Sequence, residues 1–472
     1  MKPAPLVALS LATVLGVSAV ATGQTPPASQ LPGRFLGGVP SGQATADVMP
    51  LTVLDAVQRA LDRNLGVLMA EQDLGHARGA RWKALSELLP NVDGRITETR
   101  QQTNLQAFGF GSIGGAAFAG IPTIVGPFNV FDARVYVTQA VVDLAKMNDA
   151  RSEAHNVEAA RYTYQSARDL VIHVAATVYI TALAASARAD SARAQQETAQ
   201  TLYNQALDLK QAGIIAGVDV LRAEVQLNVE TQRVTAATND FEKSKLQLAR
   251  LIGLPVGQRF SLDANLPEIP TIDMSIEESV QRAYAARADY QAALARVRAA
   301  ESARQAIVGE QLPSVHVNSD FGDIGLSPSD SHSTFSVAGI VSIPIFQGGR
   351  TQGRLIQADA DLRNRRNEAD DLKASIYYDM QIAFLDLQAT SQQLQVATKA
   401  RDLASQQLTQ TRDRFAAGVA SNVEVVQAQE SVALANEQFI SSQYGYVLAK
   451  GALIRGIGTP EQVLRQILGG IH

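Results

Sequence analysis

The chain has 472 residues, with 41 Lys and Arg against 46 Asp and Glu; its net charge of −5 is spread along the length and excludes the basic footprint of a nucleic-acid-binding protein. Cysteine is absent, which excludes a disulfide framework, thiolate metal ligation and a lipid-modified cysteine. Aromatic residues make up only 6%, while alanine and glutamine abound, a composition suited to long, thinly packed helices and not to a bulky core.

At the N-terminus Lys2 precedes an apolar run from Leu6 to Val20, followed by Ala19-Val20-Ala21 and Pro26-Pro27. A spanning helix needs about 20 residues, more than this run offers. Residues 1–21 therefore read as a secretory signal peptide with an A-x-A cleavage site, and 22–49 as a linker. No later segment reads as apolar enough to cross a membrane as a helix.

A helix is expected over 52–88, ending at Leu89-Pro90. Beyond it the period changes from helical to two. Phe131, Ala133, Val135 and Val137 alternate with Asp132, Arg134, Tyr136 and Thr138, so a β-hairpin is expected over about 91–141, with a Gly-rich connector at 109–126. Its first strand is weak, the alternation fading beyond Ile96. From Asp143 to Ala212 there is neither glycine nor proline, and a helix of about 70 residues, roughly 105 Å long, is expected over 143–212. Gly213 stops it, a turn follows at Ile214–Gly217, and another helix covers 218–252.

The same order then returns. A helix is expected over 275–311, a hairpin over about 314–345 with a short connector near 326–332, and a long helix over 347–417. In that helix Leu372, Ile376, Met380, Ala383 and Leu387 step by 4, 4, 3 and 4 along one face. Gly418 stops it, and a turn at Val419–Asn422 leads into a helix over 422–455 and a tail at 457–472. Val57 and Val280 sit in matching A/S-V-Q-R-A runs, and Leu89-Pro90 matches Leu312-Pro313; both pairs are 223 residues apart. Ala212-Gly213 and Val218-Asp219-Val220 match Ala417-Gly418 and Val423-Glu424-Val425 at a separation of 205. One unit is thus used twice, over 50–270 and 271–456, and the second copy is 18 residues shorter between its Leu-Pro and its Ala-Gly. Four strands of about ten residues match the span of an outer membrane but cannot close a barrel, so copies of the chain must associate or the hairpins must pack as soluble caps.

Leu51-Thr52-Val53-Leu54-Asp55-Ala56-Val57, the Leu-Pro at both hairpin entries, Ile343-Pro344-Ile345-Phe346 with Gly348-Gly349-Arg350, and Ala-Gly followed by Val-Asp/Glu-Val resemble the TolC family of outer-membrane efflux proteins over about 50–456. Ala140, where the second repeat has Pro344, and the short C-terminal tail depart from the pattern. The resemblance implies a mainly α fold with inserted β-hairpins, internally duplicated: a homotrimer with a twelve-stranded transmembrane barrel in outer-membrane lipid and a long helical coiled-coil barrel in the periplasm. It implies as partners a periplasmic membrane-fusion adaptor and an inner-membrane pump, with no cofactor and no nucleic acid. Adaptor docking falls on the tips, Gly213, Ile214, Ile215, Ala216 and Gly217 with Gly418, Val419, Ala420, Ser421 and Asn422. The periplasmic gate falls on Asp219 and Glu424, with Arg222 a charge partner on the Asp219 face and the neutral Gln427 where some members carry a second acid. Ser421 to Glu424 also has capping-box spacing, and an acid in a first helical turn is favoured by the dipole, so capping and gating both remain open for Glu424.

Enzymatic signals are poor. Gly109-Phe110-Gly111-Ser112-Ile113-Gly114 fits G-x-G-x-x-G, but in a hairpin loop with no helix opening after it. The six histidines show no paired metal-ligand spacing. The expected function is a passive exit duct for small molecules, with a protein-secretion duct and a non-conducting secreted coiled-coil scaffold as the alternatives.

Overall fold

The computed structural model describes residues 33–108, 122–264 and 274–463. The signal segment, most of the Gly-rich connector with its G-x-G-x-x-G run, and the end of the tail lie outside the described residues. In the first repeat β1 (Met49–Leu51) is followed by α1 (Val53–Arg63), α2 (Leu65–Ser86), β2 (Asn91–Asn104), β3 (Ile124–Val142), α3 (Leu144–Gln211), α4 (Gly217–Leu251) and β4 (Phe260–Leu262). The second repeat contains α5 (Ile276–Ala286), α6 (Ala288–Gly309), β5 (Ser314–Gly325), β6 (Ser331–Ser342), α7 (Arg350–Ala416) and α8 (Asn422–Ile457). Matching helices have nearly the same length: 11 residues in α1 and α5, 22 in α2 and α6, 68 and 67 in α3 and α7, 35 and 36 in α4 and α8. From strand start to helix start the first repeat takes 53 residues (91 to 144) and the second 36 (314 to 350). The hairpins thus hold 17 of the 18 residues by which the repeats differ, and the long helix holds the other.

Two expected helices are each broken in the same place. The one expected over 52–88 divides at Asn64 and the one over 275–311 at Arg287, both with extended backbone. Asn64 is fully buried; its carboxamide oxygen accepts from the Gly66 amide and its Nδ2 donates to the Phe35 carbonyl (both 2.9 Å), which starts a new helix. At Arg287 the guanidinium is held by Asp289 (2.8 Å) and Asp379 (3.2 Å), while Gly458 (φ +83°) lies against its backbone.

The weak first strand is in fact 14 residues long and pairs with β3 along nearly its whole length. The antiparallel sheet runs β2-β3-β5-β6, which leaves β2 and β6 as unpaired edges. Register sorts its two faces. Val92, Val137, Ser319 and Val337 form one row, with Gly94, Val135, Phe321 and Phe335 beside it; Asp93, Tyr136, Asp320 and Ser336 form a row on the other face. There Arg134 donates to both Asp132 and Asp320 at 2.7 Å and ties the first hairpin to the second. The apolar face is the one suited to lipid.

β3 passes straight into α3, because the Asp143 side chain caps the helix by accepting from the Lys146 amide at 3.1 Å. Pro344 has no N–H for a strand ladder, so the second hairpin ends at Ser342 and not at about 345. Its long helix begins at Arg350 and not at about 347, after Gly348 and Gly349, both at positive φ. Near the sheet α2 packs beside α3, α3 beside α6 and α6 beside α7, the order of the strands they join. Toward the other end the order is α4, α3, α8, α7.

The two cores correspond. Val57, Val171, Ala175, Leu248 and Ile252 in the first have the counterparts Val280, Ile376, Met380, Leu453 and Ile457 in the second, all buried. Burying a large aliphatic side chain contributes about 1.5–3 kcal/mol, so each core clamps four helices midway along the molecule. Tyr179 completes the first core. Its hydroxyl donates to the Leu51 carbonyl (2.7 Å) and accepts from the Asp263 amide (3.1 Å), fixing the parallel pair β1 and β4. One window of α3 is apolar enough to cross a membrane, contrary to the expectation that no segment after the signal would be; half of it is buried here, so its hydropathy belongs to core packing.

An ionic cluster lies at the same level, where α3 meets the α5–α6 junction, α7 and the end of α8. Arg168 pairs with Glu461 (3.2 Å) and Arg287 with Asp289 and Asp379. Burial, reinforced by the neighbouring Glu461 and Asp289 carboxylates against the pull of Arg168 and Arg455, pushes the half-buried Asp169 carboxyl up to about 7. Burial and then Arg455 push His173 down to about 4. An acid with a raised folded pKa favours the protonated fold, so Asp169 costs stability as pH rises from about 4 to 7. His173 costs stability as pH falls from 6.5 toward 4. Asp169→Asn is expected to raise the melting temperature of the detergent-solubilised protein at pH 8, with the difference from the parent vanishing by about pH 4. A gap that is independent of pH in calorimetry would contradict this assignment.

Candidate functional site

The ends of the two long helices are built alike. In α3 the Gly213 amide donates to Lys210 O (3.0 Å) and the Ile214 amide to Leu209 O (2.9 Å). In α7 the Gly418 amide donates to Phe415 O (2.9 Å) and the Val419 amide to Arg414 O (3.0 Å). These are two Schellman closures, and both glycines adopt the left-handed conformation they need, at φ +74° and +72°. The turns are short, since Gly217 and Asn422 already belong to α4 and α8.

Asp219 and Glu424 are both the third residue of their helix, but they are held differently. Glu424 belongs to a full capping box: its carboxylate accepts from the Ser421 amide (3.1 Å), and its own amide donates to Ser421 Oγ (3.4 Å). That backbone bond holds the Glu424 carboxyl below its usual range, with Ser421 Oγ and Arg414 (3.6 Å) adding to it. The N-cap position of α4 is Ala216, whose methyl group cannot accept a hydrogen bond, and Asp219 instead accepts from Arg222 at 3.0 Å. Gln427 is exposed one turn beyond Glu424.

The two tips of one chain are fastened together. Asn422 is 6% exposed and its Nδ2 donates to the Asp219 carbonyl at 2.8 Å, so its side chain faces the neighbouring tip and not the outside. Leu202, Phe415 and Val425, with Leu209, Leu408 and Ala420 around them, form a small core from both tips. Ile215 packs on Ala206, Val220 and Ala223, whereas Ile214, Val218, Val419 and Val423 are exposed. Gly213, Ala216, Gly217, Gly418 and Ser421 are exposed as well.

Sequence reading missed the ionic tie above the tips. Arg233 on α4 binds Glu230 on its own helix (2.9 Å) and Glu430 on α8 (2.9 Å), and Arg188 on α3 binds Glu437 on α8 (2.8 Å). Glu230 is 3% exposed, and burial raises its carboxyl pKa against the pull of Arg233. The three-residue step from Glu230 to Arg233 is visible in sequence, but their approach to α8 is not. Among the described residues no cluster fit to hold a metal ion occurs.

The sequence pattern of the family described as outer membrane efflux protein matches residues 56–254 and 279–459, both repeats. The chain belongs to this family. Outer membrane protein TolC of Escherichia coli is 22% identical over 353 residues, 70% of each chain. The pyoverdine export outer membrane protein OpmQ of Pseudomonas putida is 23% identical over 342 residues, again 70% of each. Among solved structures the CmeC outer membrane channel of Campylobacter jejuni superposes with a TM-score of 0.74 at 16% identity, covering 88% of this chain and 89% of that one. As an outer membrane efflux protein the chain is a non-enzymatic duct, located in the outer membrane with its helices extending into the periplasm.

Glutamine at position 424 keeps capping-box geometry and removes the charge. In planar bilayers Glu424→Gln is expected to lower cation selectivity while melting near the parent temperature, and adding Asp219→Asn is expected to lower it further. Unchanged selectivity in both variants would leave Glu424 as a cap and Asp219 as the ion-pair partner of Arg222, with no part in a gate.

Proposed function

We propose that three copies of this chain close into one efflux duct whose periplasmic mouth is lined by Asp219 and Glu424. The observation that carries this reading is the open four-stranded sheet, with β2 and β6 unpaired and the helices ranked beneath it in the same order. A barrel of about eight strands has an interior that side chains fill, so two copies would not conduct, whereas three supply twelve strands and a lumen. The acids stand at matching positions of the two repeats, so a trimer brings six carboxylates to one mouth. Arg222 and Arg414 moderate their repulsion. Screening beyond about 8 Å at physiological salt lets such charges act together only across a narrow mouth.

The exposed apolar tip residues Ile214, Val218, Val419 and Val423 are the docking surface for a periplasmic adaptor, which couples the duct to an inner-membrane pump. Transport energy and cargo choice come from that pump, and the duct itself works by geometry and charge. The purified protein is expected to have the mass of three chains in mild detergent, and to conduct weakly with cation preference in planar bilayers. A monodisperse monomer by light scattering, or bilayers that stay silent, would overturn the reading.

A further inference from the structure

α2 and α6 are the same helix of the duplicated unit, 22 residues each at an offset of 223 (288 − 65), yet their last turns differ. Arg78, Trp82 and Lys83 stand in α2 where α6 has Glu301, Gln305 and Ala306; Arg81 alone is kept in kind, as Arg304. α6 lies between α3 and α7, whereas α2 has α3 on one side only. Arg78, Arg81, Trp82 and Lys83 are all exposed, Trp82, the sole tryptophan, by 69%.

Four other cations near this level are tied to acids: Lys146 to Glu87, Arg304 to Asp359, Arg354 to Glu310 and Arg366 to Glu301. Among the described residues Arg78, Arg81 and Lys83 make no ion pair. The acids of their own segment do not offset them. Glu87 is taken by Lys146, and Asp73 and Glu71 precede Arg78 by five and seven residues, farther from the sheet.

The patch lies where the chain enters the membrane. Gln139 Nε2 on β3 donates to the Leu88 carbonyl at 2.7 Å and Glu87 pairs with Lys146 at 3.2 Å, so the end of α2 is held directly beneath the sheet. From Trp82 to Ser86 is about 6 Å along the axis. The interfacial layer on each side of the hydrocarbon is about 5–8 Å deep. Beyond it Leu89, Val92 and Ile96 are exposed, and Val92 opens the apolar face of the sheet. The chain thus passes from cations through an indole to aliphatic side chains, the order of a bilayer from headgroup to hydrocarbon.

We propose that Arg78, Arg81 and Lys83, with Trp82, bind the phosphate of an anionic phospholipid in the periplasmic leaflet of the outer membrane. Guanidinium and ammonium groups make charge-assisted bonds to phosphate oxygens, and a zwitterionic headgroup offsets its phosphate with a cation of its own. The indole suits the headgroup level, and the long basic side chains lay their methylenes along apolar surface while their charged ends stay in the polar layer. One Lys or Arg beside an anionic lipid surface changes affinity about fivefold, so three cations separate an anionic lipid from a zwitterionic one by more than about tenfold. The proposal uses the outer-membrane location and not the number of copies in the duct.

The single tryptophan makes the test direct. The purified protein in mild detergent is titrated with brominated phosphatidylglycerol or brominated phosphatidylcholine while Trp82 emission is followed. Half-quenching is expected at a phosphatidylglycerol mole fraction at least about tenfold lower. Raising the salt from about 50 to about 500 mM is expected to remove most of that difference. In Arg78→Gln/Arg81→Gln/Lys83→Gln the two lipids are expected to quench alike, with melting temperature and bilayer conductance unchanged. Equal quenching of the parent by both lipids, a preference insensitive to salt, or a variant that keeps the preference would overturn the headgroup site. A Trp82 that neither lipid quenches has protein or the lumen in front of it, which would overturn the proposal and leave the duct intact.

Discussion

A strand edge inside a bilayer has no water to satisfy its N–H and C=O groups, and this constraint organises the molecule. The sheet stops at four strands, with a free edge on β2 and another on β6. Each strand passes at its lower end into a helix of the wall, through Asp143 in one case and a glycine-containing bend in another. Helix order therefore copies strand order, and an edge in the sheet becomes an edge in the helical wall. The two edges differ in kind: in the sheet it is a row of unpaired N–H and C=O groups, in the wall, whose helices satisfy their own backbones, a set of exposed apolar side chains.

Duplication supplies the rest of the architecture. Equivalent cores, one around Leu248 and Ile252 and the other around Leu453 and Ile457, clamp the helices midway, where each short upper helix is interrupted. The first core is the larger. It recruits Phe35 and the β1–β4 pair through Tyr179, so the segment ahead of α1 is bound to the segment after α4. The second faces the ionic cluster of Arg287, Asp289 and Asp379, which gives the two halves of one fold unlike surroundings at the same height.

Much of this was legible in the chain. Glycine-free and proline-free stretches located α3 and α7 to within a few residues, because nothing in them competes with helix. Alternation located β3, β5 and β6, because each has one apolar face. β2 was faint because Glu98 and Arg100 break off the apolar series of Val92 and Ile96, yet it gains its ladder from β3. The breaks at Asn64 and Arg287 were not legible, since neither carries glycine or proline; they arise from contacts with residues 29 and 92 positions away. At the tips, the glycines and the capping box could be read from spacing. The tie from Asn422 to Asp219, across 203 positions, could not.

The start of α8 has a side-chain cap in Ser421, and the start of α4 has none at Ala216. Such a cap contributes about 1 kcal/mol. In a closed ring of three chains the six helix starts at the mouth therefore alternate between firm and loose. A ring of that kind has threefold and not sixfold mechanical symmetry.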